Sequence, residues 1–410
     1  MKRKSHRSNP VSTGPICWLP RCVVALLVLF EASTSGYAML QPTGDLVRKT
    51  TNAFELRPGV IVDPDRPAVY LMNPRGGIDA VDLSSGTLIW TTAQAAKPLL
   101  LYDDLLVAQA EVSGRSGVLR IVWLNTKDMD RAALKADVEL PDGVSASIDD
   151  GLGTSFRASA DMHAGTLIVS WRSSMQYISG AAPPPDVTAL DRQAAGVVRI
   201  EPKTGGVESL TSGEVSAPPA PRLPDNVARL VESGALPGPL WHAGNVLATI
   251  TRTNGGDSQR VILRRWDRKT GKPLPEVTLA NGGLTFRFAA ADSRHLLASR
   301  QVEAGREKYL WVIFSLETGA RVAEVLHHLS AAAFFLSDSR LVYESLPSRR
   351  LIDGKWVEEP LSLQAIELKT GAELWGRPVR DTAYRGPYPP AVPGRSGPSL
   401  PPASPGRDPQ

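Results

Sequence analysis

The chain has 410 residues, of which 42% are hydrophobic, 35 are glycine and 34 are proline. That length can bury a large core, and so much glycine and proline favours many turns over long helices. The formal charge of +4 comes from the first 38 residues, where Lys2, Arg3, Lys4, Arg7 and Arg21 face only Glu31; the other 41 basic and 41 acidic residues cancel, which excludes the clustered positive charge that nucleic acid binding needs.

The first predicted element is a secretory signal peptide over residues 1–38. A basic stretch precedes the apolar run Cys22–Phe30, and the small residues Gly36 and Ala38 place cleavage after Ala38. The run is too short to cross a bilayer, which needs about twenty apolar residues. The alternative is an uncleaved segment that tethers the chain. Both cysteines, Cys17 and Cys22, lie here, so the mature chain is expected to be cysteine-free and exported, to the periplasm or beyond. Neither cysteine stands in a lipoprotein-type context.

After a lead over residues 39–54, a repeat begins. Ile78–Trp90, "IDAVDLSSGTLIW", alternates apolar residues, turns through Asp82, Ser85 and Gly86, and closes on Trp90. A degenerate copy lies at Val118–Leu134. Further copies turn at Gly205, Gly271 and Gly319. The last, Leu363–Trp375, "LQAIELKTGAELW", carries Glu367, Thr370, Gly371 and Trp375. The spacings of 48 and 52 residues between the last three glycines fit a blade or solenoid unit. Each copy predicts two strands around a turn. Glycine supplies positive φ there, and the Ser or Thr hydroxyl and the acidic residue satisfy turn amides. Two more apolar runs stand upstream of each copy, so the unit is four strands, as in a β-propeller blade. Counting in fours gives about six blades over residues 55–380, with seven or eight left open.

Two proline-rich insertions break the rhythm, Gly180–Gln193 and Val215–Gly238. The second predicts one short helix, Asn226–Ser233, capped by Asp225. The tail, residues 381–410, is expected to be disordered; it has nine prolines from Gly386 onward.

The pattern of an acidic residue, Ser or Thr, Gly and a closing Trp resembles the PQQ-like repeat of quinoprotein-like β-propellers. Asp82, Ser85, Gly86 and Trp90 carry it, and Thr370, Gly371 and Trp375 repeat it with Glu367 in place of Asp. The copies at Gly205, Gly271 and Gly319 keep the turn without the tryptophan. The resemblance implies an all-β fold, a single propeller of four-stranded blades. Its dehydrogenase branch holds pyrroloquinoline quinone and calcium on the propeller axis beside a cysteine pair. The mature chain has no such pair, so the resemblance points to the non-catalytic envelope branch, without a cofactor.

Other candidate chemistry is thin. His163, His242, His295, His327 and His328 lack the i, i+4 spacing of a helical metal pair. His327 and His328, as strand neighbours, are predicted to point to opposite faces in a solvated turn. "IDDGLGTS" (Ile148–Ser155) falls short of a calcium loop, and Asp63–Asp65 and Tyr102–Asp104 read as hairpin turns. Trp90, Trp123, Trp266, Trp311 and Trp375 read as packing between blades; Trp241 and Trp356, nearer loops, are candidates for exposed rings. The segment Arg380–Pro390 is either a strap over the last blade or a polyproline ligand. Together these features predict an exported propeller that serves as a protein-interaction or scaffold module, with no catalytic, cofactor or metal residues. Its partner would bind a propeller face or the tail, and no membrane span remains in the mature chain. The competing expectation is an enzyme or a quinone- or ligand-binding protein with its site on the central axis.

Overall fold

The computed structural model describes residues 53–381 apart from 113–116, 128–131, 149–153, 164, 176–192, 211–222, 237–239, 256–257, 282–285, 291–293, 303–307 and 353–354, together with Tyr384 and Tyr388. The signal segment, the centre of Ile148–Ser155, almost all of Gly180–Gln193, parts of Val215–Gly238 and most of the tail lie outside these residues.

The chain folds as a β-propeller. Among the described residues the strands form six successive antiparallel sheets and one separate hairpin. The first sheet is β1 (Phe54–Arg57), β2 (Val60–Asp63), β3 (Ala68–Met72), β4 (Ile78–Asp82) and β5 (Leu88–Thr92). The second is β6 (Lys97–Tyr102), β7 (Leu105–Ala110), β8 (Val118–Asn125) and β9 (Ala132–Glu139). The third is β10 (Thr154–His163), β11 (Thr166–Met175), β12 (Gln193–Ile200) and β13 (Val207–Leu210). Helix α1 (Asp225–Glu232) follows. The fourth sheet is β14 (Trp241–Ala243), β15 (Val246–Gly255), β16 (Ser258–Asp267) and β17 (Pro273–Asn281). The fifth is β18 (Phe286–Ala290), β19 (His295–Gln301), β20 (Tyr309–Ser315) and β21 (Arg321–His327). The sixth is β22 (Phe334–Ser337), β23 (Arg340–Ser345), β26 (Ser362–Glu367) and β27 (Glu373–Pro378); the hairpin β24 (Ser348–Ile352) with β25 (Lys355–Glu359) springs from it.

Burial follows position in the sheet. β2 and β3, "VIVD" and "AVYLM", are buried at every residue because neighbouring sheets cover both their faces, and such strands read as continuous apolar runs. The last strand of the same sheet, β5, is mostly open to solvent. Shared apolar clusters join the first and second sheets, the second and third, the fourth and fifth, and the fifth and sixth. One more, containing Val62, Val69, Val342, Leu363 and Trp375, joins the first to the sixth. The ring therefore closes by packing between sheets that are far apart in sequence.

The repeat turn is the joint between sheets. In the first copy the Asp82 carboxylate accepts the Ser84 and Ser85 amides and both hydroxyls, and Gly86 N–H donates to the Asp82 carbonyl at 2.8 Å. Burial would raise the Asp82 pKa, but these donors outweigh it and hold the carboxyl below its usual range. Asp267 is treated likewise by Thr270, whose amide and hydroxyl lie at 2.7 and 2.8 Å. The Gly205, Gly271, Gly319 and Gly371 amides close their turns on Glu201, Asp267, Ser315 and Glu367, each at 2.8 Å. The glycine then meets an element that precedes it around the ring. A Cβ on Gly205 would reach Leu134 and Lys135 of β9; on Gly319, Arg265 and Val277 of the fourth sheet; on Gly371, Val325 of β21.

Gly271 departs from this rule. Its neighbours are Pro224 and Asn226, and Asn226 Nδ2 donates to the Gly271 carbonyl at 2.6 Å. Helix α1 thus takes the place that a strand of the preceding sheet takes elsewhere. Val227 is fully buried with Leu247 and Trp266 of the fourth sheet. The helix also corrects the sequence expectation at its start. It begins at Asp225, Pro224 occupies the N-cap, and no side chain caps it. Proline suits this edge because it has no N–H to satisfy, and Asp225 in the first turn complements the helix dipole.

Candidate functional site

One end of the propeller gathers the charged and aromatic features that the repeat does not use. At this end lie the β1–β2 turn, the starts of β4 and β6, the ends of β3, β7 and β23, and the chain leaving β27. Cross-links hold it together. Met72 N–H donates to the Gly59 carbonyl at 3.2 Å, Arg380 N–H to the Met72 carbonyl at 3.0 Å, and Arg380 Nη2 pairs with Glu111 Oε1 at 2.7 Å.

Its inner part is a set of opposed charges beside the axis. The first strands of neighbouring sheets approach one another there, β2 with β6 and β6 with β10. β1 adds to the axial edge of β2 and also touches the sixth sheet: Phe54 meets Phe335 edge-on at 5.7 Å, and Arg57 Nη1 pairs with Glu344 Oε1. Glu344 is buried, and loss of hydration pushes its carboxyl up while Arg57 opposes the shift. Glu55 is exposed to solvent on β1. Partial loss of hydration beside the surrounding protein still raises its carboxyl, against the buried Lys97, the Gly59 amide and Arg57. Gly59 is needed at φ +84°, because a Cβ would fall 2.4 Å from the Met72 sulfur.

The sign of the pH effect follows. A carboxyl whose folded pKa exceeds its ordinary value of 4.5 binds protons more tightly when folded. Its contribution is complete below that value and is lost as pH rises through the folded pKa. Glu344→Gln is expected to flatten the stability profile just above pH 4.5, the window in which the Glu344 contribution is lost. Urea melts across that window check it; parallel profiles for parent and variant would contradict it.

The outer part is the hairpin. Register pairs Trp356 with Leu351 and Glu358 with Arg349, so Trp356, Arg349 and Glu358 share a face. Trp356 is 61% exposed, and the Arg349 guanidinium carbon lies 5.1 Å from its ring centroid. The chain beyond β27 passes beside it. Tyr384 OH donates to the Glu358 carbonyl at 3.3 Å, the Tyr384 and Tyr388 rings meet at 5.0 Å, and Tyr388 OH bonds Asp381 at both its N–H and its carbonyl. The described part of Arg380–Pro390 therefore lies as a strap, from Glu111 and Met72 across to the hairpin.

The repeat residues are distributed differently. Asp82, Ser85, Gly86, Gly205, Gly271, Gly319, Glu367, Thr370 and Gly371 stand at the opposite end of the propeller, in the turns that join sheets. Trp375 is fully buried and donates through Nε1 to the Leu83 carbonyl at 3.1 Å. Trp90, its counterpart in the first sheet, is only half-buried, with its centroid 5.7 Å from that of Tyr70. Trp241 lies on β14 and packs with the fourth-sheet core, so Trp356 alone of that pair is an exposed ring. Asp63–Asp65 and Tyr102–Asp104 are turns, as expected, and Arg66 bridges them by pairing with Asp104 at 2.7 Å.

The histidine pair differs from expectation. His327 is buried, stacked on Trp311 at 4.2 Å, and accepts the Leu329 amide at Nδ1. His328 lies beyond the end of β21, so strand alternation does not apply, and its ring stacks on His327 at 4.5 Å. Among the described residues no group of three or more His, Cys, Asp or Glu is placed to hold a metal ion, and no helix is long and apolar enough to cross a membrane.

No family model and no curated protein matches the chain. Solved structures that resemble it include the β-propeller domain of Cps50 (Swd1) from Myceliophteria thermophila, 11% identical over 80% of this chain and 89% of that one, with a TM-score of 0.24. Sqt1 of Saccharomyces cerevisiae is 11% identical over 85% and 92%, at a TM-score of 0.30. The quinohemoprotein alcohol dehydrogenase ADHIIG of Pseudomonas putida is 12% identical over 76% of this chain and 57% of that one, at 0.21. These likenesses concern the fold alone.

Proposed function

We propose that the chain is an exported, non-catalytic propeller of the PQQ-like repeat type that acts as a protein-interaction or scaffold module in the cell envelope. The observation that carries this is the hairpin β24–β25. An exposed tryptophan under an arginine is the composition that dominates binding energy at protein interfaces. A rigid blade presenting it on a projecting loop is how propellers serve such roles. The N-terminal segment supports export. Affinity capture from the envelope fraction tests the proposal. Parent protein and Glu344→Gln are expected to retain the same partner and Trp356→Ala to lose it; retention by Trp356→Ala would overturn the assignment of the surface.

A second reading has one observation in its favour. Glu55, Arg57, Lys97 and Glu344 converge beside the axis, and both carboxyls are raised, which is how ligand and catalytic sites tune acids. Titration with pyrroloquinoline quinone and calcium tests it. A stoichiometric visible-absorbing complex would favour the axial site over the interaction module.

A further inference from the structure

The hairpin face has aromatic chemistry that matches a sequence feature of the same chain. Trp356 is exposed beside Arg349, and Tyr384 and Tyr388 form a ring pair fastened to the neighbouring backbone carbonyl of Glu358. Grooves lined by aromatic rings bind proline-rich segments, which present a preformed left-handed helix with three residues per turn. Pro389–Gln410 continues directly from Tyr388. It holds eight prolines and three Pro-x-x-Pro units: Pro390–Pro393, Pro398–Pro401 and Pro402–Pro405. In a polyproline helix the three-residue spacing would put both prolines of each unit on one face.

Position adds to the match. The tail leaves from Tyr388, whose ring packs on Tyr384, and Tyr384 is bonded to the hairpin, so the tail's effective concentration at Trp356 is on the order of millimolar. The first unit follows Tyr388 too closely to turn back onto the ring. Gly394 and Gly397 then allow a reversal, and the two units of Pro398–Pro405 follow it. The tail carries no aromatic residue and only Arg395, Arg407 and Asp408 as charges, so it brings apolar proline rings to an exposed indole.

We infer that the hairpin face made by Trp356 and Arg349 is a polyproline-binding surface, and that its occupant is residues 398–405 of the same chain, which Tyr384 anchors at the hairpin edge. A partner at this face must then displace the tail. The inference uses the same surface as the proposed function but does not need a partner to exist.

Contact quenching tests it in the full chain. Cys17→Ser and Cys22→Ser remove the native thiols, and Ser404→Cys carries a bimane, which tryptophan quenches only at van der Waals contact. The parent is expected to be quenched, and Trp356→Phe to recover fluorescence at least twofold. Quenching should not change with protein concentration. Equal fluorescence with and without Trp356 would overturn the inference. Quenching that grows with concentration would also overturn it, because the occupant would be the tail of a second copy. Trp356 is exposed, so unchanged thermal melts are expected to show that the variant folds. A quenched parent that captures no partner would leave the tail assignment standing, and an unquenched parent that still captures its partner would remove the tail assignment alone.

Discussion

Trp375→Ala is expected to destabilise the protein by on the order of 3–5 kcal/mol, the range for deleting a large aromatic side chain from a core. The indole is fully buried between the first and sixth sheets, among Leu83, Leu363 and Ala365. A tryptophan removes roughly 150–250 Å² from water. The change also leaves the Leu83 carbonyl without the Nε1–H that now satisfies it, and a buried acceptor without a partner adds to the cost. The same change at half-buried Trp90 is expected to cost less than half as much. Denaturant melts of the two variants check the ranking; equal losses would contradict the burial difference that underlies it.

Gly86→Ala is expected to cost about 3 kcal/mol, from two separate causes. The residue has φ +67°, a conformation that an L side chain adopts only with strain. The new methyl would also lie 2.4 Å from Trp375 Cγ, and the indole cannot retreat because the core surrounds it. Gly86 and Trp375 are therefore one contact seen from two sides. In the Trp375→Ala background the clash disappears, and Gly86→Ala should cost only the strain, roughly 1 kcal/mol. A double-mutant cycle measures this coupling. Additive losses would mean that the turn and the indole do not share the joint. Arg377, whose Nε donates to the Gly86 carbonyl at 2.7 Å, backs the same contact from two residues along β27, on the same face of the strand.

These two residues also show what the sequence made legible. The turns announce themselves because an acidic residue, a hydroxyl, a glycine and a large apolar residue each have a separate physical task at fixed spacing. The copies at Gly86 and Trp375 meet because the ring brings its first and last sheets together. What stayed hidden depends on neighbours that no local pattern records. The first and last tryptophans look alike in sequence, yet only Trp375 faces a glycine turn. The second sheet turns near Asn125–Lys127, where the degenerate copy has no glycine. Helix α1 was visible as a helix, but its substitution for a strand at Gly271 was not. His327 reads as a strand-end residue, and only the fold stacks it on Trp311.

The candidate surface was partly legible. Trp356 stood out as a ring near a loop. The pair Asp353–Gly354, flanked by "RRLI" and "KWVE", is a two-residue hairpin signal that would have predicted β24 and β25 outright. The charges beside the axis were not legible. Arg57 and Glu344 are 287 residues apart, and nothing in either local sequence marks the other as its partner.

The interaction role is tested most directly by photo-cross-linking in the intact envelope, with benzoylphenylalanine at Glu358, on the same hairpin face as Trp356. A discrete adduct with one other polypeptide, beside the adduct to the chain's own tail and lost when Trp356→Ala is added, is the expected result. Adducts confined to the chain's own tail, or adducts that persist without Trp356, would contradict it.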